Sequence, residues 1–241
     1  MTSEATAHTV TQISTLNALL ARRFRGIFPN KDLAKHGDLG IGTFDEMDGE
    51  LIMVDGVVYQ GMPGGAVQAP DPENKVPFST VCKFEVDEAW TMDSPVNYAE
   101  LDKSIDVRAT NPNVFIAIRV EGTFSHMKIH ALQKQSEPYP PTAEVVKGCV
   151  QAETTNVTGT IVGFRGVPWV RGINDVGYHL HFLTDDKTWG GHVLEFTMDR
   201  GTVQISTCNN HVILLPENGD VLNGIDMSQD LVGEFHAALT E

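Results

Sequence analysis

The segment GYHLHF at residues 177–182, followed closely by GGHV at residues 190–193, carries the densest chemical pattern in the chain. Side chains alternate between the two faces of a β-strand, so His179 and His181 would point to the same side. Residues of the turn-forming kind lie between the two segments, so the chain is expected to fold back as a hairpin. With the hairpin centred near residues 186–187, His192 would lie opposite His181.

Three imidazoles at this spacing would converge on one point. A catalytic zinc site is typically built from three protein ligands with one position left for water or substrate. The spacing therefore predicts that His179, His181 and His192 bind Zn²⁺, or another divalent transition metal. A cupin-like metal protein is an alternative, because an HxH pair on a hairpin also occurs there. No glutamate follows at the cupin interval, and Asp185 and Asp186 are the nearest carboxylates.

The overall composition is that of an ordinary globular protein of 241 residues, with 41% hydrophobic residues. A formal net charge of −15 argues against nucleic acid or an anionic membrane as the main partner. No apolar run reaches membrane-spanning length and the first residues lack a signal-peptide pattern, so a cytoplasmic location is expected. Cys82, Cys149 and Cys208 form no CxxC pair and are expected to be reduced thiols.

The rest of the chain contains sequence patterns of both helices and strands. Ile13 to Phe24 has helical spacing with Ser14 or Thr15 as the N-cap. The two apolar runs 51–54 and 57–60 flank Asp55-Gly56 and predict a β-hairpin. From residue 156 onward short strands predict a small barrel or a sandwich, with a closing helix at 228–239. Three prolines within 133–142 suggest a boundary between the halves 1–140 and 141–241.

Several segments together resemble one enzyme family, the α-acetolactate decarboxylases. The similarity runs from about residue 13 to the end of the chain, in HGDLGIGTF (36–44), DGELI (48–52), FIAIRVEGTFS (115–125), QKQSEPYPP (133–141), GTIVGFRG (159–166) and the histidine hairpin (177–193). The resemblance implies an α+β fold with an N-terminal mixed β-sheet, a few helices and a C-terminal small β-barrel. It also implies a homodimer.

The resemblance further implies which residues form the site. Zinc would be held by the three hairpin histidines, with Glu50 and Thr43 beside it. A glutamate of the C-terminal tail, either Glu241 or Glu234, would also reach the metal. One position departs from the family pattern, because His130 stands where the family has an arginine beside the substrate. Histidine lacks the planar fork that grips a carboxylate, so His130 is either a proton donor or the sign of a different substrate.

The implied reaction is the decarboxylation of 2-acetolactate to acetoin and CO₂, with the metal acting as a Lewis acid. The expected ligand is thus a small anionic hydroxy-keto acid. Two other interpretations of the function remain open. One is a related metal-dependent lyase or isomerase that acts on another hydroxy-keto acid, suggested by His130. The other is a protein that binds a small molecule on the same scaffold without catalysis.

Overall fold

A computed structural model describes residues 6–109, 111–216, 221–226 and 228–240 of the chain. The protein is α+β and rich in strands, as expected from the sequence. The strands in chain order are β1 (Thr9–Ile13), β2 (Phe28–Pro29), β3 (Leu39–Thr43), β4 (Glu50–Val54), β5 (Val57–Gly61), β6 (Val67–Gln68), β7 (Lys75–Val76), β8 (Phe78–Cys82), β9 (Glu88–Met92), β10 (Val96–Asn97), β11 (Phe115–Ala131), β12 (Val150–Thr154), β13 (Val157–Gly166), β14 (Gly177–Thr184), β15 (Gly190–Cys208) and β16 (Asn210–Leu214).

Four α-helices accompany the strands in the described residues, namely α1 (Leu16–Leu20), α2 (Tyr98–Arg108), α3 (Thr142–Lys147) and α4 (Leu231–Thr240). Short 3₁₀ turns occur at Asn30–Lys35, Asp45–Met47 and Pro168–Val170. None of the helices in the described part of the chain has the length and apolar character that crossing a lipid bilayer requires. The three cysteines are free thiols.

The first sheet has seven strands in the order β16-β1-β8-β3-β4-β5-β6. Its predicted hairpin is confirmed, since β4 and β5 pair antiparallel around Asp55 and Gly56. Both turn residues have positive φ, 52° and 78°, which is the turn geometry that matches the twist of two antiparallel strands. This hairpin places Glu50 at the start of β4.

The second sheet also has seven strands, in the order β10-β15-β14-β13-β11-β12 with β9 paired to β15. Its longest strands are β11 and β15, of 17 and 19 residues. β11 pairs with both β13 and β15, and β14 pairs with both β13 and β15. β11 comes from the first half of the chain, whereas β16 of the first sheet comes from the second half. The closed barrel and the division at residue 140 stay predictions.

One apolar core joins the two sheets. Side chains from the first sheet pack with side chains from the second, including Val10, Leu39, Ile41, Ile52, Ala117, Val162, Phe164 and Leu183. All of these side chains are almost completely removed from water. The burial is the main force that holds the sheets face to face, and β4 and β14 therefore lie close together.

The predicted helix from Ile13 to Phe24 is wrong in its first part. Residues Thr9–Ile13 form β1, which pairs with β8 on one side and with β16 on the other. Tertiary pairing thus overrides the local helical spacing, and the alternating TVTQI sequence suits a strand. The helix is the short α1, and the predicted Thr15 N-cap is confirmed by its hydroxyl, which accepts from Ala18 N at 3.2 Å.

Candidate metal centre

Three histidines converge at the β14–β15 hairpin as the sequence predicted. His179 and His181 lie on one face of β14, and His181 is directly opposite His192 on β15. The ring centroids of the three pairs are 5.2, 4.8 and 5.4 Å apart. Their ligand nitrogens all lie within 4.8 Å of one another, so the group can hold a metal ion.

Glycines let the strands around the histidines approach closely. A Cβ atom at Gly190 would lie 2.3 Å from the Phe182 carbonyl oxygen, and one at Gly191 would lie 2.7 Å from the His130 carbonyl oxygen. On the other side of β14, a Cβ at Gly163 would lie 2.1 Å from the His179 carbonyl oxygen. Larger residues at these positions would push the histidine strands apart.

Two of the three imidazoles have a neighbouring oxygen at Nδ1. His181 Nδ1 donates a hydrogen bond to the Leu51 carbonyl oxygen at 2.8 Å. His179 Nδ1 lies 2.9 Å from Asp175 Oδ2, an ion-pair contact without hydrogen-bond geometry. A proton held on Nδ1 leaves the Nε2 lone pair available to a metal. His181 Nε2 is buried and has no hydrogen-bond partner among the described residues. A buried unpaired acceptor is costly, which fits a site made for a cation.

The charge state of the histidines also suits a metal. Burial lowers the pKa of His181 and of His192 well below the ordinary value, with a smaller contribution from the neighbouring histidine charges. Both rings are therefore neutral at physiological pH, which is the form that binds a metal. Three imidazoles match the ligand set of a catalytic zinc site, and the residues present fit the expected ion.

Glu50 is a buried carboxyl group next to this cluster. Its Oε1 accepts a hydrogen bond from the Leu132 backbone at 3.0 Å, and its Oε2 lies 3.5 Å from His181 Nε2. Burial raises the pKa of Glu50 to about 7, although the Leu132 N–H and His179 act in the opposite direction. A carboxyl group with such a pKa can both release and accept a proton near neutrality.

His130 lies against His192 in a stacked arrangement, with ring centroids 4.5 Å apart and an angle of 27° between the rings. Burial, together with a smaller contribution from the nearby His179, lowers the pKa of His130 to about 4. His130 is therefore neutral near pH 7. It can still donate one N–H hydrogen bond to a bound molecule, but it does not supply a positive charge.

The remaining predicted residues have different positions. Thr43 faces the site, and its hydroxyl donates to the Gly49 carbonyl oxygen at 2.7 Å, which holds the turn before Glu50. Glu234 is exposed on α4 and lines a separate cavity beside Arg22 and Arg23. Glu241 lies outside the described residues. The roles that the resemblance gives to these residues stay predictions.

The site opens into one cavity of about 240 Å³. Its polar wall is formed by Thr43, Glu50, His130, Asp175, His179 and His192, and its apolar wall by Leu16, Leu19, Leu20, Met47, Phe78, Leu132, Val146 and Phe235. Sequence reasoning missed the apolar wall and Asp175. Asp175 follows Asn174 and lies two residues before Gly177, so it looks like a turn residue, and the one available signal was its spacing of four residues from His179.

A strand-rich α+β fold that groups three histidines and a buried carboxyl group beside one small cavity defines an enzyme-like protein with a potential metal site. Comparison with known proteins identifies its family. The profile of the family described as "Alpha-acetolactate decarboxylase" matches residues 10–227. The chain belongs to the alpha-acetolactate decarboxylase family, and its predicted status as an enzyme of the carboxy-lyase class is confirmed.

Individual relatives support this assignment. The chain is 39% identical to the alpha-acetolactate decarboxylase of Methanosarcina mazei over 223 residues, which cover 91% of this chain and 77% of that protein. It is 36% identical to the enzyme of Brevibacillus brevis, covering 95% and 80% of the two chains. The crystal structure of the enzyme from Bacillus subtilis strain 168 superposes with a TM-score of 0.90 at 32% identity, covering 96% and 98%.

Proposed function

We propose that the protein decarboxylates 2-acetolactate to acetoin and CO₂ with Zn²⁺, or another divalent transition metal, held by His179, His181 and His192. The observation that carries this proposal is the convergence of three imidazoles beside buried Glu50, in a member of this family. A bound cation would supply a Lewis acid to the oxygens of the hydroxy-keto acid.

The reaction requires two things of the protein's own residues. The C–C bond to the carboxylate breaks, CO₂ leaves, and the electron pair moves toward the ketone oxygen. A proton must then add to the carbon that carried the carboxylate. With a pKa of about 7, Glu50 is protonated in a substantial fraction of molecules near neutral pH, which makes it the candidate donor. The neutral His130 can donate an N–H to a substrate oxygen.

The apolar wall contributes to the loss of CO₂. Neither lysine nor arginine lines the cavity among the described residues, and the sequence has neither residue at the undescribed positions. A carboxylate placed against Leu16, Met47 and Phe78 would lose water without gaining a cationic side chain. That environment disfavours the charged group and favours neutral CO₂.

Metal analysis coupled to an acetoin assay tests the proposal. Purified protein should contain stoichiometric metal and release acetoin from racemic acetolactate, whereas the His179→Ala variant should lose both. His126→Ala, which replaces another histidine of the second sheet outside the cavity, is the matched control and should behave like the wild type. A wild-type protein without stoichiometric metal would contradict the proposed mechanism.

The substitution of the family arginine by His130 supports a second candidate, a related lyase or isomerase for another small hydroxy-keto acid. Metal-loaded wild-type protein that fails to produce acetoin, yet converts a different hydroxy-keto acid, would favour this alternative. Binding of such acids without any conversion would instead identify a non-catalytic binding protein.

A further inference from the structure

Asp175 lies in the loop before β14 and faces the first of the three histidines. Its Oδ2 atom is 2.9 Å from His179 Nδ1, and its side chain forms part of the cavity wall. His181 receives its corresponding contact from the uncharged Leu51 carbonyl. The two histidines of one strand are therefore oriented by chemically different partners, one charged and one neutral.

A buried polar network holds the Asp175 backbone in place. The Asp175 N–H donates to Asn174 Oδ1 at 2.7 Å. The Asn174 amide in turn donates to Gln12 Oε1 at 2.7 Å and to Thr80 Oγ1 at 2.9 Å, and all three of these side chains are buried. Because Gln12 and Thr80 belong to β1 and β8, the network ties the loop to the first sheet.

Backbone contacts fix the same loop from two further directions. Leu16 N donates to the Ile173 carbonyl at 2.9 Å, and Asn17 N donates to the Gly172 carbonyl at 2.8 Å. On the β13 side, a Cβ atom at Gly166 would lie 1.8 Å from the Asp175 carbonyl oxygen, so the loop packs directly onto glycine. A loop held this closely can place a carboxylate with the accuracy that a ligand-orienting contact requires.

We propose that Asp175 is a positioning residue for the metal centre, which orients His179 through the 2.9 Å contact of its carboxylate with Nδ1. This contact keeps the proton on Nδ1 and turns Nε2 toward His181 and His192. The carboxylate also increases the electron density of the imidazole, which strengthens its bond to a metal and moderates the Lewis acidity of the ion. The inference rests on the proposed metal-binding function and extends it to a residue outside the ligand set.

The test measures metal affinity directly. Zinc is titrated into metal-free wild-type, Asp175→Asn and Asp175→Ala proteins in competition with a chromophoric chelator. Loss of an outer-shell partner of this kind typically weakens metal binding by about 10–100-fold, and we expect a loss in this range for both variants. The exposed Asp93→Asn variant removes one surface carboxylate and should keep wild-type affinity.

A spectroscopic measurement separates positioning from a general loss of structure. Cobalt(II) is bound in place of zinc, and the visible absorption bands report the ligand field at the ion. Asp175→Asn keeps the size of the side chain, so its metal-free far-UV circular dichroism should match the wild type while the cobalt bands shift. If Asp175→Asn binds zinc within threefold of the wild type and leaves the cobalt spectrum unchanged, the inference is overturned. A wild-type protein that binds no zinc would instead overturn the proposed function.

Discussion

Glu50 shows how a single buried carboxyl group couples the site to pH. Folding places it beside His181 and away from water, and burial raises its pKa from an ordinary value of 4.5 to about 7. The group therefore favours the folded state when protonated, below pH 4.5, and this contribution is lost as the pH rises through 7. The buried histidines have lowered pKa values and act in the opposite direction.

Replacing Glu50 by glutamine should remove its share of this pH dependence. In metal-free protein, the free energy of unfolding of Glu50→Gln relative to wild type should rise between pH 5 and pH 8, by on the order of 3 kcal/mol for a shift of this size. Urea unfolding in the presence of a chelator at both pH values measures the difference. An identical pH dependence of both proteins would contradict the raised pKa.

A substitution at His130 can separate the contribution of its N–H hydrogen bond from that of its ring contact with His192. His130→Phe keeps an aromatic ring against His192 and removes the N–H group. We expect unchanged zinc content and a kcat lower by about 100-fold, the range for loss of a positioned proton donor. Steady-state kinetics with metal analysis of the same sample provide the measurement. Wild-type kcat in this variant would show that the His130 N–H is dispensable.

At the residue scale the sequence was most informative where spacing fixes geometry. Strand alternation placed His179 and His181 on one face, and the turn residues placed His192 opposite His181. Asp175 was missed because its contact depends on a loop anchored by Gln12 and Asn174, which are far apart in sequence. Such a contact follows from tertiary packing, and its only local signal was the spacing of four residues between Asp175 and His179.

Among the elements, the β14–β15 hairpin depends on glycine next to the metal histidines. A Cβ at Gly190 would collide with the Phe182 carbonyl, where β14 and β15 pair. Gly190→Ala should therefore separate His181 from His192. We expect a loss of stability of about 1–3 kcal/mol and a marked loss of zinc affinity. Urea unfolding and chelator competition measure the two effects.

The other hairpin provides a matched control. Gly56 has a φ of 78° and a Cβ there would meet no atom within 4 Å. Gly56→Ala should cost about 1–2 kcal/mol through backbone strain and leave zinc affinity at the wild-type value. Equal zinc affinity in Gly56→Ala and Gly190→Ala would show that the close approach at Gly190 does not shape the site.

Elements with a clear local sequence pattern were predicted well, whereas elements defined by distant pairing partners were not. The Asp55-Gly56 turn and the strands after residue 156 follow from alternation and turn chemistry. β1 was not predicted, and its last residue, Ile13, was placed in a helix because Ile13, Leu16 and Leu19 have helical spacing. Its strand character comes from β8 and β16, whose positions no local pattern reveals.

At the scale of the whole molecule, the first sheet ends in an apolar edge. β16 pairs with β1 alone among the described strands, and Val212, Ile213 and Leu215 are 42%, 38% and 55% exposed. An open edge with apolar side chains tends to pair with another chain. This edge supports the homodimer that the resemblance implies, although the dimer remains a proposal.

A charged side chain introduced at the β16 edge should prevent self-association of the protein. Ile213→Lys should convert a dimer into a monomer at micromolar concentration without changing the far-UV circular dichroism, because the side chain is at the surface. Light scattering coupled to size-exclusion chromatography measures the mass. Val57→Lys, an exposed apolar residue on β5, is the control and should keep the mass of the wild type. A dimer that persists in Ile213→Lys would place the contact elsewhere.

The parallel pairing of β1 with β16 joins residues about 200 positions apart. During synthesis on a ribosome, β16 leaves the exit tunnel about 200 residues after its neighbour β1. Closing such a long loop is slow compared with forming local hairpins. Completion of the first sheet must therefore wait until the whole segment between β1 and β16 has been synthesised, and folding intermediates on the ribosome will carry β1 with one side unpaired.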